Sequence, residues 1–439
     1  MSLPPEIVVA PPGPRSRELA AKLSAAECPA FDARRDAREE ASGASQTPIV
    51  YDRGEGANVW DVDGNRYVDL VAGFGALIFG HSPSAVKQAV SEQEAKLALA
   101  LGDVYASDVK VALCEKLAAL FPEPGARVML GLSGADALTA ALKTVALTGR
   151  PNVIAFEGSY HGLSHGPLAA CGLAPNFREP FADQTGDWVS FEPYPADSEI
   201  AARVLANLRA IATSKAGARV GAVLIEPILG RGGVIEPPSG FLADLRALCD
   251  ETKWLLVADE IFTGMGRSGA ISIARKQGVL PDILCLGKGL GAGWPISAMI
   301  GRAHAMAAWG EHHGTTIHTA THFGSPPSCA AALAVLDALA DAAILGRVDR
   351  VGAKLKQELE RATASRGAKV RQRGLMIGID LGTGARALAV SRALLERGYI
   401  VVTGGTHGET LTLTPPFDIA EELLASFAGA LGEVLEDES

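Results

Sequence analysis

The sequence has few cysteines and no excess of basic residues, and these shortages exclude several classes of protein. The six cysteines stand far apart and form no CxxC pair, which argues against a zinc ribbon or a redox dithiol. We therefore predict no metal site and interpret most cysteines as buried small apolar residues. Lysine and arginine number 40 against 50 aspartates and glutamates, so the formal net charge is −10. Such a chain repels a phosphate backbone, and nucleic acid is not an expected partner.

Long apolar runs are missing as well. No run approaches the roughly 20 residues that cross a bilayer, so no membrane association is predicted. The opening residues, MSLPPEIVVAPPGPRSR, lack the basic segment and apolar stretch of a secretory signal, and we expect a cytoplasmic protein. What the chain does have is length and apolar content. Its 439 residues, 48% hydrophobic and 21% charged, suit a globular enzyme or binding protein with one large domain and a lesser one.

The N-terminal residues are predicted to form an arm, a helix and a small meander. The proline-rich opening favours an extended arm, and residues 16–41 have a helix-like pattern with many charges. Residues 50–75 alternate apolar and polar side chains around two turn sequences, GEGAN and DVDGN, which is typical of an antiparallel meander. We assign residues 1–75 to part of a small domain.

From about residue 126 the pattern changes to short apolar runs separated by helical stretches. The runs are ARVMLGL, NVIAF, VGAVLIE, WLLVADE, DILCLG and ISAMIG. Strands that are apolar throughout are typical of a parallel or mostly parallel sheet covered by helices on both faces. The sequence thus predicts an α/β fold, with a large domain over residues 76–326 and a smaller α+β domain over residues 327–439.

Polar side chains follow several of these runs directly. Ser133, Glu226, Asp259 and Lys288 each stand where an apolar run ends. Ligands of open parallel sheets bind beyond the carboxyl ends of the strands, so these side chains are expected to meet in one crevice. One charged residue after a strand is usually a solvated loop residue, but several in succession favour a site.

Two of these positions indicate particular chemistry. In SGADALTAALKTVALTG, Ser133 opens a helix whose free amides would suit a phosphate, although the serine could equally serve only as the helix cap. Lys288 lies among glycines in LGKGLGAGWP, where a ligand can approach closely, and the alternative is a lysine that begins a solvated loop. A lysine that forms a Schiff base and an acid such as Asp259 that keeps a pyridine nitrogen protonated are the pairing that pyridoxal phosphate chemistry requires.

Several segments together carry a family resemblance. They are, in order, WDVDGNRYVDL, SGADALTAALK, AFEGSYHG, VLIEPILGRGG, LLVADEIFTGMGRSG, PDILCLGKGLGAGWPISAMIG, HTATHFGSPPSCAAALAVL and GLMIGIDL. They resemble the landmarks of the class III (omega) aminotransferases, a family of fold-type I pyridoxal phosphate enzymes, over roughly residues 50–417. The resemblance implies pyridoxal 5'-phosphate as the cofactor. It also implies a large domain with a mostly parallel, seven-stranded-type sheet wrapped by helices, and a smaller α+β domain.

The family's motifs imply roles for single residues. Lys288 is similar to the Schiff-base lysine that shuttles the proton, and Asp259 is similar to the partner of the pyridine nitrogen. The other implied contacts are the phosphate turn Ser133, Gly134 and Ala135, the ring-stacking Tyr160 with the adjoining His161, Ile261 on the opposite ring face, Glu226 beside the cofactor, and Thr321, which would cross a homodimer interface to the neighbour's phosphate. Taken alone, Tyr160 could be an ordinary core aromatic and Thr321 a helix cap.

The chain departs from the family pattern at several positions, of which Asp136 in place of a glutamate is a mild change. Leu163 and Thr412 stand where many members have an arginine, and Arg231 stands where a glutamate that pairs with the second arginine is common. With Thr412 in place of the arginine, a glutamate at position 231 would be a buried charge without a partner, which is costly. Arg231 would instead supply the cation from the position where that glutamate usually stands. We hypothesise that Arg231 receives a substrate carboxylate; the alternative is that it pairs with a nearby acid. Phe262 replaces a glutamine that can reach the cofactor's ring oxygen. This change should alter the electronic tuning of the imine but preserve binding of pyridoxal phosphate.

These implications predict a transaminase that moves an amino group from a primary amine or an omega- or beta-amino acid to a keto acid by a ping-pong mechanism. One alternative is an aminomutase or amino-acid racemase of the same fold, which needs no separate acceptor. Another is a nucleotide binder that uses the glycines of GKGLGAG, although the GxGxxG spacing at the first strand-to-helix turn is missing. The expected partners are a small-molecule amine, a keto acid and a second copy of the chain.

Overall fold

A computed structural model describes residues 3–311, 314–364 and 366–437. The chain divides into two compact units. The first contains the residues up to Pro83 and those from Ala343 onward, and the second contains Ser84–Ala342. Both junctions come later in the chain than the domain boundaries expected from the sequence, so the alanine-rich helix that begins at Pro326 lies in the second unit. The assignment of cofactor binding to one domain stays a prediction.

Helices occur along the whole described chain. In chain order they are α1 (Pro14–Ser24), α2 (Pro29–Ser42), α3 (Ala72–Gly75), α4 (Ser84–Lys96), α5 (Asp108–Ala118), α6 (Gly134–Leu147), α7 (His165–Ala169), α8 (Ala182–Thr185), α9 (Ser198–Thr213), α10 (Phe241–Thr252), α11 (Ile273–Lys276), α12 (Ala303–Met306), α13 (Pro326–Leu339), α14 (Ala342–Ala362), α15 (Gly384–Glu396) and α16 (Glu421–Asp437). Short 3₁₀ helices occur at Pro175–Phe177, Glu179–Phe181, Gly217–Arg219, Lys288–Leu290 and Ala307–Glu311. Within the described ranges no single helix is long and apolar enough to cross a membrane, and only α13 and α14 taken together as a bent pair meet that test.

The helix predicted over residues 16–41 is two helices in the structure. Proline occupies the first turn of both α1 and α2, where its missing N–H costs no helical hydrogen bond. Because a proline inside a helix would remove such a bond and clash with the preceding turn, the first helix ends before Pro29 and the second begins there.

The strands belong to three sheets. In chain order they are β1 (Tyr51–Glu55), β2 (Asn58–Asp61), β3 (Arg66–Asp69), β4 (Arg127–Gly131), β5 (Asn152–Phe156), β6 (Val189–Glu192), β7 (Val220–Ile225), β8 (Leu255–Asp259), β9 (Ile283–Leu286), β10 (Ser297–Gly301), β11 (Lys369–Arg373), β12 (Met376–Asp380), β13 (Tyr399–Ile400), β14 (Val402–Gly404) and β15 (Thr410–Leu413). The sheets have the strand orders β1-β2-β3-β13, β4-β10-β9-β8-β7-β5-β6 and β11-β12-β15-β14.

The second unit contains the seven-stranded sheet. Strands β6, β5, β7, β8 and β9 pair in parallel, while β10 is antiparallel to both of its neighbours, β4 and β9. This confirms the mostly parallel sheet that the apolar runs predicted. The pattern did not predict β6, whose residues are only half-buried and therefore lack an apolar run.

Both faces of this sheet are buried, which explains why its strands are apolar throughout. Along β7, Val223 and Ile225 pack into a cluster with side chains of α9 and α10. The alternate residues Ala222 and Leu224 pack into a second cluster with side chains of α6. Successive side chains of a strand point to opposite faces, so a sheet with helices on both sides needs an apolar residue at every position.

The first unit contains the two four-stranded sheets. The strands β1, β2 and β3 form the predicted antiparallel meander, and β13 from the C-terminal part of the chain pairs in parallel with β3. The second sheet, β11-β12-β15-β14, is antiparallel throughout. Joining the N-terminal meander to a C-terminal strand makes one unit from the two ends of the chain.

Candidate active site

The N-terminus of α6 follows the edge strand β4 and is held by a capping box. Ser133 Oγ accepts a hydrogen bond from Asp136 N at 3.3 Å, and Asp136 Oδ2 accepts one from Ser133 N at 2.9 Å. Gly134 and Ala135 are the first two helical residues, whose amides have no earlier carbonyl within the helix to bind. This end of α6 can therefore donate hydrogen bonds to an anion, which the helix dipole also favours.

Lys288 follows β9 in a strained backbone conformation. Its φ of 43° is left-handed, which costs a residue with a side chain roughly 1–2 kcal/mol. Its Nζ lies 3.8 Å from the centroid of the Phe262 ring. Loss of hydration lowers the pKa of this amine to about 8, although Glu226 and Asp259 oppose the shift. An amine with this pKa loses its proton far more readily than an exposed lysine does.

Asp259 stands at the end of β8 and is paired with a histidine. Asp259 Oδ2 accepts a hydrogen bond from His161 Nδ1 at 2.7 Å, and Oδ1 accepts one from Ile261 N at 3.0 Å. Both side chains are buried. The other ring nitrogen, His161 Nε2, is buried and has no hydrogen-bond partner within the part of the chain that is described. The pair thus presents an oriented carboxylate and a free imidazole nitrogen.

Glu226, at the end of β7, links two loops that border the site. Its Oε1 accepts a hydrogen bond from Tyr160 N at 2.7 Å, and its Oε2 accepts one from Gly230 N at 3.0 Å. Burial raises the pKa of Glu226 to about 7, opposed first by the charge of His161. This side chain fixes the backbone that carries Tyr160 and the loop that leads to Arg231.

Glycines bring these segments together at three places. A Cβ at Gly134 would lie 2.8 Å from Ile261 Cδ1, and one at Gly230 would lie 1.9 Å from Phe262 Cδ1. A Cβ at Gly162 would lie 3.0 Å from Ala135 Cβ. Real Cβ contacts are longer, so side chains here would separate the loops from α6 and from β8.

One cavity of about 280 Å³ in the second unit joins these elements. The predicted site residues that line it are Ser133, Gly134, Ala135, Tyr160, His161, Glu226, Arg231, Asp259, Ile261 and Lys288. Leu163 and Phe262, two of the departures from the family pattern, also line it. The expectation that side chains from separate strand ends meet in one crevice is confirmed.

Thr321 is the predicted site residue that does not line this cavity. It is exposed, in the segment before α13. Two threonines of that segment, Thr316 and Thr319, donate hydrogen bonds to Asp103 at 3.1 and 3.3 Å. The segment is thereby attached to the loop between α4 and α5.

Sequence reasoning missed Phe177, which belongs to the surroundings of Arg231. The guanidinium carbon of Arg231 lies 4.6 Å from the centroid of the Tyr160 ring and 5.8 Å from that of Phe177. Phe177 ends a short 3₁₀ helix in an irregular stretch between β5 and β6. No periodic pattern marks that stretch, so the sequence offered no signal for the contact.

The residues present fit pyridoxal phosphate. A half-buried amine, a buried carboxylate, an aromatic ring and a helix N-terminus are the groups that bind its aldehyde, ring nitrogen, ring face and phosphate. The donors come from the ends of β4, β7, β8 and β9, where ligands of parallel sheets bind. The sequence model of the family described as Aminotransferase class-III matches residues 40–435. The chain belongs to the class III aminotransferases.

Known relatives agree with this assignment. The aminotransferase is similar to the acetylornithine aminotransferase of Streptomyces coelicolor, with 38% identity over 397 residues that cover 90% of this chain and 92% of that protein. The acetylornithine aminotransferase of Mycobacterium tuberculosis is 36% identical over 390 residues, which cover 89% of this chain and 92% of the relative. A solved (S)-enantioselective omega-transaminase from Thermomicrobium roseum matches with a TM-score of 0.84 and 26% identity, over 96% of this chain and 98% of that chain.

Family membership confirms the main predictions made from the sequence. The protein is a pyridoxal phosphate-dependent transaminase of fold type I, and its substrates are an amine and a keto acid. The alternative of a nucleotide binder that uses the glycines around Lys288 is excluded. The roles of single residues, the homodimer and the cellular location are proposals.

Proposed function

We propose that Lys288 carries the cofactor and moves the proton in this transaminase. The observation that supports this most directly is the meeting of Lys288, Asp259 and the Ser133 end of α6 in one cavity. Asp259 would hold the protonated ring nitrogen, and the first amides of α6 would bind the phosphate. When bound, pyridoxal phosphate supplies a ring that withdraws the electrons left behind by a departing proton.

The amine of Lys288 is suited to repeated proton transfer. With its pKa lowered to about 8, it can take up and release a proton near neutral pH. We infer that the Lys288 amine would accept the proton released by the substrate carbon and would give it up again later in the reaction. The amino donor leaves as a carbonyl product before the keto acid enters, which gives ping-pong kinetics.

Three neighbouring side chains would orient the ring. Tyr160 and Ile261 are proposed to contact its two faces, and His161 to hold Asp259 in place through the 2.7 Å hydrogen bond. Glu226 would act as a positioning residue, because its hydrogen bond to Tyr160 N fixes the turn that carries the aromatic ring. Phe262 would contact Lys288 where a polar side chain could otherwise bind the ring oxygen.

We also propose a homodimer in which Thr321 contributes to the neighbouring site. The loop between α4 and α5, with the end residues of these helices, exposes a set of apolar side chains: Leu97, Leu99, Leu101, Val104, Tyr105 and Val111. Several exposed apolar side chains within one short segment are typical of an interface. Asp103 lies within it and binds the segment that carries Thr321. The exposed threonine would therefore lie beside the interface.

The place of action is proposed to be the cytoplasm. Cys171, Cys249, Cys285 and Cys329 are buried free thiols, and Cys28 and Cys114 are free as well. Free thiols are typical of proteins in a reducing compartment.

Reduction with borohydride tests the role of Lys288. We expect the purified enzyme to be yellow and borohydride to fix the chromophore to the peptide that contains Lys288. Lys288→Ala should lose transamination, while Lys215→Ala, which removes an exposed lysine of the same unit, should keep it. Labelling of another lysine, or full turnover by Lys288→Ala, would disprove the assignment.

Dependence on the keto acid distinguishes transfer from internal isomerisation. A transaminase bleaches its cofactor with the amine alone and recovers the colour only when a keto acid is added. Conversion of one amino compound with no keto acid present would instead indicate an aminomutase or racemase as the physiological activity.

Light scattering tests the interface. Tyr105→Asp puts a charge into the exposed apolar stretch, and we expect the dimer to dissociate and the affinity for the cofactor to fall. Leu23→Asp changes another exposed apolar residue, in α1, and should leave the dimer intact. A Tyr105→Asp protein that is still dimeric would place the interface elsewhere.

A further inference from the structure

Arg231 is a cation placed at the cavity by the backbone next to it. It follows Gly230, whose amide is fixed by Glu226, and its half-buried side chain lines the same cavity as Lys288. Its guanidinium lies over the Tyr160 ring at 4.6 Å and near the Phe177 ring at 5.8 Å. Two aromatic neighbours hold the planar group through cation–π contacts and limit its rotamers, so the guanidinium is already oriented toward the cavity before a ligand binds.

The guanidinium has no acidic partner in the described ranges of the chain. No carboxylate there lies within 4.0 Å of it, so the idea that Arg231 is consumed by an internal ion pair finds no support. Glu226, the acid nearest in the chain, already accepts hydrogen bonds from the amides of Tyr160 and Gly230. A partly dehydrated arginine without an acid favours an anionic ligand.

The rest of the lining gives an anion few other places to bind. Leu163, Ile261 and Phe262 supply apolar surface, and Glu226 and Asp259 supply negative charge. Among the described lining residues the other basic side chains are Lys288, which is needed for the chemistry, and His161, which is paired with Asp259. A carboxylate that enters this cavity would therefore bind at Arg231 or at the α6 N-terminus, which is proposed for the cofactor phosphate.

We propose that Arg231 receives the carboxylate of the substrates of this enzyme, above all that of the keto acid. This inference rests on the proposed role of Lys288. The carboxylate of a 2-oxo acid is bonded to the carbon that reacts, so its receptor must share the cavity with Lys288, as Arg231 does. The guanidinium fork matches a carboxylate with two parallel hydrogen bonds. With one such fork in the described lining, the favoured acceptors have a single carboxylate, as pyruvate does.

Binding of an unreactive carboxylate gives a test that does not depend on turnover. Propionate would be titrated into the holoenzyme and its dissociation constant measured by calorimetry. Hydrogen bonds to charged groups contribute enough that Arg231→Gln should weaken propionate binding about 10- to 100-fold. Arg231→Lys keeps the charge but not the planar fork, so its dissociation constant for propionate should lie between those of Arg231→Gln and the wild type. Arg209→Gln removes an exposed arginine of α9 and should bind propionate like the wild type.

The second half-reaction gives a matched pair of acceptors. The pyridoxamine form would be mixed with pyruvate or with propanal, which has no carboxylate, and the return of the cofactor absorbance followed. For Arg231→Gln we expect the second-order rate constant with pyruvate to fall about 10- to 100-fold and that with propanal to stay within about 2-fold. Equal losses with both acceptors, or unchanged propionate and pyruvate constants, would overturn the proposal.

Failure of this inference can be told from failure of the proposed function. If borohydride does not label Lys288 in the wild type, the role of Lys288 is wrong whatever Arg231 does. If Lys288 is labelled in both the wild type and Arg231→Gln but the variant still selects pyruvate over propanal as the wild type does, the carboxylate binds elsewhere. A normal yield of labelled variant also shows that Arg231→Gln folds and holds its cofactor.

Discussion

Asp259 and Glu260 are neighbours in the chain, yet their carboxylates have opposite surroundings. Glu260 accepts four hydrogen bonds, two at each oxygen: from Ser272 Oγ at 2.5 Å and Ala274 N at 3.1 Å, and from Ile273 N at 2.7 Å and Thr263 Oγ1 at 3.2 Å. Asp259 accepts one at each oxygen, from His161 and Ile261. A carboxylate can accept about four, so Glu260 is saturated by its own fold and Asp259 is half available.

The difference separates a structural acid from one that can bind a ligand. Both side chains are buried, so burial alone does not identify the functional residue. Asp259 lines the cavity, whereas Glu260 joins the end of β8 to the start of α11. The unused acceptor capacity of Asp259 is what its proposed role as partner of a pyridine nitrogen requires.

The largest expected effect comes from Asp259→Asn. Because the amide cannot hold a protonated ring nitrogen, we expect kcat for transamination to fall on the order of 1000-fold, within the range for lost acid–base groups. The free energy of unfolding of the cofactor-free protein should fall less than it does for the corresponding change at Glu260, because Asp259 accepts two hydrogen bonds and Glu260 accepts four. Stopped-flow measurement of the cofactor absorbance would check the rate, and a variant with wild-type half-reactions would contradict the role of Asp259.

The matching change at the next residue should have the reverse effect. Glu260→Gln leaves the amides of Ile273 and Ala274 facing a side chain that is itself partly a donor, so the free energy of unfolding should fall by about 3 kcal/mol. Activity per folded molecule should stay near that of the wild type. Urea denaturation and active-site titration would measure the two quantities, with the exposed Glu251→Gln as the control. A large loss of kcat in the folded variant would remove the distinction between the two acids.

Glu226 is a third buried acid, and it should make the free energy of unfolding depend on pH. Burial raises its pKa from 4.5 to about 7, so between these values the folded protein holds a proton that the unfolded chain has released. Stability of the cofactor-free protein should therefore decrease as pH rises from about 4.5 to about 7. The pKa of Lys288 is lowered to about 8, so this amine changes the free energy of unfolding only above that pH.

Glu226→Gln should remove this contribution to the slope. Denaturation in urea at about pH 5 and about pH 7 measures it, and the exposed Glu251→Gln should keep the wild-type dependence. The same slope in Glu226→Gln as in the wild type would mean that this carboxyl is ionised throughout the range.

The smallest effect is expected when Glu260 loses one donor of its four. Ser272→Ala removes the 2.5 Å hydrogen bond and the cap that Ser272 Oγ provides to Arg275 N, and it should lower the free energy of unfolding by about 2 kcal/mol, with kcat unchanged. The comparable change at Asp259, His161→Leu, removes one donor of two and should weaken cofactor binding as well. Equal dissociation constants of the two variants for the cofactor would contradict the distinction between Glu260 and Asp259.

Much of the site could be predicted because it depends on local pattern. Apolar runs mark β5, β7, β8 and β9, and the residue after a run must lie at a strand end. In the structure β8 and β9 are adjacent and parallel, which places Asp259 and Lys288 at the same edge. The predicted meander is present for the same reason, since alternation and turn sequences are local signals.

Other features depended on contacts that no local pattern encodes. The half-buried β6 and the mostly half-buried β11 have no apolar run, and neither was predicted. The hydrogen bond between His161 and Asp259 joins residues 98 positions apart, and that between Tyr160 N and Glu226 joins residues 66 positions apart. The family motifs predicted that these residues share one site, but they did not indicate which atoms form hydrogen bonds.

The α/β core, the residues at its strand ends and the family follow from the amino-acid sequence alone, because apolar periodicity and the order of motifs are properties of the chain itself. The three-dimensional packing was needed to show which carboxylate is saturated and which is available, and that Arg231 lies beside aromatic rings rather than an acid. The reason is physical: the partners of a buried polar group are set by how separate segments pack, and this packing depends on the whole chain at once.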